Sequence, residues 1–177
     1  MSEINVYVEI CREGVELSTY AKDGDAGMDI RAAEDIIINP QETVIIPTGL
    51  KVAIPKGYEI QVRPRSGISY KTPLRVSNAP GTVDSGFRNE IGVIMTNTST
   101  LYEFNDETIE NPYNNPPAYE HTLDSKGNKQ GIYKIKKGDR IAQIVLKEVS
   151  TIKWKPVEDI NTIGGNRGGG FGSSGVR

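Results

Sequence analysis

A chain of 177 residues with 36% hydrophobic and 25% charged side chains has the composition of a globular protein, long enough for one domain with a sizeable core or one domain plus an arm. Its formal net charge of −2 offers no electrostatic footprint for duplex nucleic acid or an anionic membrane, and no apolar run approaches the roughly 20 residues of a membrane helix. Cys11 is the single cysteine and His121 the single histidine, which excludes an internal disulfide, leaves a tetrahedral zinc site short of ligands, and points to a reducing, cytoplasmic setting.

The chain reads as short strands punctuated by Gly, Pro and Asp. Val6, Val8 and Ile10 alternate with polar residues, after a start that lacks the basic and apolar regions of a signal peptide. Within Ala26–Ile30 (AGMDI) one acid, Asp29, sits in an otherwise apolar strand start. Ile36–Ile38 and Val44–Ile46 are β-branched runs bounded by Asn39-Pro40 and Pro47. Tyr58, Ile60 and Val62 alternate with Glu59, Gln61 and Arg63, the period of a half-buried strand. The one brief helix expected is Ser66–Lys71. Ile91–Met95 and Ile141–Leu146 read as buried strands. Many short strands without a long helix imply an all-β sandwich, jelly roll or barrel.

Two segments break the rhythm. Thr98–Gly131 is polar, contains three prolines and carries six acidic against two basic side chains. Loops of that length are functional or disordered, so it reads as a surface excursion, either solvated or docking an extra protein partner. His121 falls within it as an expected surface residue. The other is Gly164–Gly175, with seven glycines in twelve residues, which cannot build a core and reads as a mobile arm.

Five segments carry candidate chemistry. In Arg63–Gly67 (RPRSG), Arg65, Ser66 and Gly67 offer a guanidinium, a hydroxyl and an approachable backbone N–H to a phosphate. In Asn78–Ile94, Asp84 lies between a valine and a Ser-Gly turn, where a carboxylate can take a proton from water or merely cap the turn. Lys137–Leu146 places Arg140 and Gln143 around a turn into a strand. In Arg167–Gly175 (RGGGFGSSG) a cation, a ring and two hydroxyls join a glycine backbone, suited to phosphate and base. Asp29 in AGMDI completes the set.

In this order and spacing, AGMDI, PRSG, GTVDSGFRNEIGV, GDRIAQ and RGGGFGSSG closely resemble the five motifs of the trimeric dUTPase family, over nearly the whole chain except Thr98–Gly131. The resemblance implies a jelly-roll-like, distorted β-barrel or sandwich over residues 1–155 and a flexible glycine-rich arm over 156–177. It implies a homotrimer with shared sites that hydrolyses dUTP to dUMP and pyrophosphate, keeping uracil out of DNA and supplying dUMP for thymidylate synthesis. By the same resemblance, Asp84 activates water, Gln143 holds the α-phosphate, and Arg65, Ser66 and Gly67 cradle the phosphates, with the Ser66 hydroxyl near the α–β bridging oxygen. Mg2+ would ride on the triphosphate, with Asp29 reaching it through water, and Arg140 would anchor structure. A hairpin from Asn78 to Gly92 would read uracil through Asn78, Gly81, Thr82, Val83 and Gly92, with Phe87 beneath the deoxyribose. The arm would close with Phe171 on the base and Arg167, Gly172 and Ser173 on the phosphates.

Phe87 stands where the family usually has Tyr, and Asn89 where it usually has Gly; neither removes a motif. A deaminase of dCTP has a similar hairpin, but carries a glutamate where this chain has Ile94 and an arginine where it has Tyr70. A catalytically idle, partner-binding relative would not need Asp84, Ser66 and Arg167 intact.

Overall fold

The computed structural model describes residues 3–100, 120–166 and 168. Among the described residues twelve strands form four open ladders, so the architecture is jelly-roll-like rather than a closed barrel. The ladder that carries the site runs β2 (Met28–Arg31), β12 (Arg140–Glu148), β6 (Tyr58–Arg63), β8 (Gly81–Val83). A second runs β4 (Thr43–Pro47), β9 (Gly92–Asn97), β7 (Leu74–Val76). β1 (Tyr7–Ile10) pairs with β5 (Leu50–Ala53), and β10 (Glu120–His121) and β3 (Ile36–Ile38) flank β11 (Ile132–Ile135). Every pairing is antiparallel except β10 with β11.

Side-chain alternation decides which face each strand buries. Along β9, Val93, Met95 and Asn97 are buried, whereas Ile94 and Thr96 are only half-buried. Along β6, Ile60 and Val62 enter the core and leave Glu59, Gln61 and Arg63 outside. The same core takes Ile30, Ile38, Ile46, Leu74, Tyr133 and Ile135. In β12 the register slips between Arg140 and Ala142. This bulge lets consecutive Ile141 and Ala142 both bury completely and turns Arg140 toward β2. The expected helix is present as α1 (Ser66–Lys71), stopped by Thr72, whose hydroxyl donates to the Ile68 carbonyl.

Four expectations need correction. β1 has the period of a half-buried strand, yet Val8 and Ile10 are 43% and 48% exposed; among the described residues β1 pairs with β5 alone, at the edge of the fold. Asn78–Gly92 is not a hairpin: β8 pairs with β6 and β9 with β4 and β7, so the connection crosses between ladders. Thr98–Gly131 is not wholly a surface excursion, since both of its ends are built in. Buried Asn97 donates to the carbonyls of Ile38 at 3.0 Å and Gly131 at 2.7 Å and accepts from the Ser99 N–H and hydroxyl. His121 is half-buried in β10, its ring 5.4 Å from that of Tyr133 and its Nε2 3.1 Å from the Gln130 carbonyl. Burial also raises the pKa of the Tyr133 hydroxyl, which donates to the Lys129 carbonyl.

Beyond β12, residues 149–166 are exposed throughout and contain one 3-10 turn, Ile160–Thr162, capped by Asp159. No helix among the described residues is long and apolar enough to cross a membrane.

Candidate active site

Asp29, Gln143 and Arg63 stand in one row across three strands, because Gln143 of β12 is the register partner of both Asp29 in β2 and Arg63 in β6. Cross-strand partners share a face and sit about 5 Å apart. Here the face is the outward one, and each of the three side chains is half-buried.

Immediately after β6 the chain turns at Pro64, and extended Arg65 (φ −84°, ψ 130°) swings back over the row. Its Nε donates to Asp29 Oδ1 at 2.8 Å and its Nη1 to the Arg140 carbonyl at 3.0 Å. Arg140 donates from Nη1 to Asp29 Oδ2 at 3.2 Å. One carboxylate therefore ties the phosphate-type loop to the KGDR turn, and two guanidiniums share its charge. Ser66 and Gly67 open α1 exposed, and the space where a Cβ on Gly67 would stand is empty. A cleft of about 430 Å³ lies over this face, lined among others by Glu16, Asp29, Arg31, Arg63, Arg140 and Gln143.

The candidate uracil-reading groups occupy a different place. Gly81 and Val83 are buried in β8, and a Cβ on Gly81 would lie 3.0 Å from Asn78 Nδ2 and 3.4 Å from Val62 Cβ. Asn78, Thr82 and Asp84 are exposed, and the Asp84 carbonyl accepts from the Phe87 N–H at 3.0 Å. Phe87 packs against the core, and a Cβ on Gly92 would run into Ile45. The far end of this segment is held by Glu90, whose carboxylate accepts from Arg12 Nε at 2.7 Å, Arg12 Nη2 at 3.0 Å and the Gly49 N–H at 2.7 Å.

Asp84 does not meet the Asp29–Gln143 row in a single chain. Val83 pairs with Ile60, which sets Asp84 at the level of Glu59, whereas Ser66 lies past the other end of β6. Arg167, Phe171, Gly172 and Ser173 lie outside the described residues. Sequence reasoning passed over Arg63, although it stands in RPRSG on the outward phase of β6, and over the Arg12–Glu90 pair, 78 residues apart with no local signal.

An exposed serine-glycine loop beside clustered guanidiniums, on an open all-β frame with an acid on a separate crossing segment, defines a phosphate-handling β protein. The family model described as dUTPase matches residues 13–104 and 127–175. A deoxyuridine 5'-triphosphate nucleotidohydrolase of Fusobacterium nucleatum is 39% identical over 99% of both chains, and one of Clostridium tetani is 35% identical over 99% of both. A dUTPase of Staphylococcus bacteriophage 80alpha, solved with dUpNHpp, superposes with a TM-score of 0.79 at 29% identity, covering 97% of this chain and 99% of that one. The dUTPase of phage phi11 of S. aureus, described with a coordinated structural Mg(II) ion, gives a TM-score of 0.72 at 27% identity, covering 89% of this chain and 99% of that one. The chain belongs to the dUTPase family, and in class it is a dUTP diphosphatase, a hydrolase of nucleotide metabolism.

Proposed function

We propose that the protein hydrolyses dUTP to dUMP and pyrophosphate in sites shared between the subunits of a homotrimer, by attack of an Asp84-activated water on the α-phosphorus. The observation that carries the shared site is the separation of Asp84 from Ser66 within one chain. In this reading Asp84, exposed at its turn, takes the proton from water, and Gln143 orients that water and the α-phosphate. The Ser66 hydroxyl donates where charge develops on the bridging oxygen, and Arg65 holds the neighbouring phosphates with the Nη2 donors that Asp29 and the Arg140 carbonyl leave available. The backbone from Asn78 to Val83, with Gly92, pairs with uracil. Cytosine, with the opposite donor and acceptor order, leaves buried groups unmatched. Phe87 forms the wall that excludes a ribose 2′-hydroxyl.

Residues 1–155 serve as the catalytic β domain. Residues 156–177 serve as an arm that closes with Arg167, Phe171, Gly172 and Ser173 over the substrate. The donor set fits Mg2+ carried by the substrate: among the described residues no three His, Cys, Asp or Glu side chains converge on one point, and Mg2+ bound through phosphates needs few protein ligands. When bound, the ion supplies charge neutralisation on the triphosphate, with Asp29 available to a water of its shell. The reaction in a cytoplasmic setting keeps uracil out of DNA and supplies dUMP.

Chromatography of dUTP, dCTP, dTTP and UTP after incubation with the purified protein and Mg2+ tests the reading. Conversion of dUTP alone to dUMP and pyrophosphate is expected; deamination of dCTP, or intact dUTP, overturns it.

A further inference from the structure

Arg63 ends β6 directly opposite Gln143, so its guanidinium rises from the same polar floor. Its Nε and Nη2 donate to Gln61 Oε1 at 3.0 and 2.6 Å, and Gln61 Nε2 donates onward to Glu59 Oε1 at 2.6 Å. No carboxylate oxygen among the described residues lies within 4.0 Å of the Arg63 guanidinium, and its Nη1 has no protein acceptor there. Arg65 and Arg140, by contrast, both reach Asp29. The acids lining the cleft are Glu16, Asp25 and Asp29, against Arg31, Arg63 and Arg140; Asp29 is already engaged, and Asp25 accepts from the Lys22 N–H. A half-buried guanidinium with donors left over, facing a cleft, suits an anionic oxygen better than solvent. The strand ladder fixes its position, so no loop has to close to bring it there.

We propose that Arg63 is a further phosphate-binding residue, donating from Nη1 to the same phosphate as Gln143, the α-phosphate that dUTP and dUMP have in common. This rests on the hydrolytic reading above.

The test compares the full-length protein with Arg63→Met and Arg63→Lys, measuring kcat and KM for dUTP, calorimetric affinity for dUMP, inhibition by pyrophosphate and the melting temperature. Arg63→Met should raise KM for dUTP and weaken dUMP binding in parallel, by roughly tenfold to a hundredfold, the worth of a charge-assisted hydrogen bond. Pyrophosphate inhibition and the melting temperature should stay near those of the wild type. Arg63→Lys should recover part of the loss, restoring the charge without the fork. A folded Arg63→Met protein with unchanged dUMP affinity overturns the proposal, and so does an equal weakening toward pyrophosphate, which would place Arg63 on the leaving phosphates. Wild-type protein that leaves dUTP intact overturns the hydrolytic reading and this one with it. Normal wild-type turnover matched by Arg63→Met overturns this one alone.

Discussion

Asp84 and Ser66 lie at opposite ends of the β6–β8 pairing. Val83 faces Ile60, so Asp84 leaves at the level of Glu59, while Ser66 follows Arg63, Pro64 and Arg65. From Glu59 to Arg63 is four strand residues, roughly 13 Å. On the proposed roles, a water activated by Asp84 would attack a phosphate held by Ser66 of another subunit. Two dead variants therefore should complement each other. Asp84→Asn and Ser66→Ala, denatured together at equal input and refolded, should regain about one quarter of wild-type activity, since one half times one half of the sites around a closed ring pair two intact residues. Each variant alone should stay at least 10²-fold down, the usual scale of a lost general base for Asp84→Asn and of a lost donor to developing charge for Ser66→Ala. Mixed trimers without recovered turnover would show the site to lie within one subunit.

The Asp29 carboxylate accepts from Arg65 and Arg140 with its side chain 21% exposed. The resemblance implies that Asp29 acts through a metal-bound water, yet its geometry gives it work without metal. Asp29→Asn should lower stability by about 1–2 kcal/mol even in metal-free, substrate-free protein, a figure discounted for partial exposure. It should also raise KM for dUTP by loosening Arg65. Thermal melts in EDTA decide: a variant as stable as wild type there, and impaired only with Mg2+, would assign Asp29 wholly to the ion.

The residues and spacings that repeat locally were legible in the sequence. Ser66–Lys71 is a helix with the bounds its pattern predicts, and the alternation from Tyr58 to Val62 places β6 and its buried face. Apolarity without alternation misled at the edge of β9. Ile91 is buried but lies outside β9, its N–H donating to the Leu50 carbonyl of β5, and the ladder instead runs on to Asn97, a polar residue that its hydrogen bonds make buriable. Pairing between distant segments was not legible. Asp29 finds Arg65 across 36 positions and Arg140 across 111, and which ladder takes β8 or β9 depends on burial of Val83 beside β6 and of Val93 and Met95 beside β4. Adjacency along the chain suggested a hairpin there; burial set the partners otherwise.

Asn97 closes the neck of the Thr98–Gly131 segment with all of its polar atoms matched inside the core. Asn97→Ala leaves the Ser99 N–H short of its acceptor and the Gly131 carbonyl with only the Ser99 hydroxyl, and should cost about 2–4 kcal/mol. Replacing all of 98–131 by a short Gly/Ser connector should likewise destabilise the fold, because β10 and the Ser99 contacts go with it. Confining the replacement to 101–119 keeps both anchors and should leave the melting temperature within a few degrees of wild type, as denaturation by calorimetry would read.

Glu90 gives the fold an acid-sensitive clamp. Burial alone pushes its pKa up, but the Arg12 guanidinium and the Gly49 N–H outweigh that and hold it below the ordinary carboxylate value of 4.5. A carboxylate whose folded pKa is depressed binds protons more readily when unfolded. Its contribution is thus fully present above about 4.5, the unfolded value, and is lost as pH falls through the lower folded value. Arg12 also donates to Glu34, so protonating Glu90 leaves the guanidinium one partner but frees the connection between the Asp84 segment and the β4–β5 turn. Glu90→Gln should be less stable than wild type by a constant amount from neutral pH down to about 5, and that gap should shrink as the pH drops below 4.5. Glu34→Gln, which touches only the exposed end of Arg12, should change stability little at any pH. Urea midpoints between pH 3 and 8 read this directly: a wild-type to Glu90→Gln difference that stays the same across the whole range would mean that the clamp holds by shape alone and not by charge.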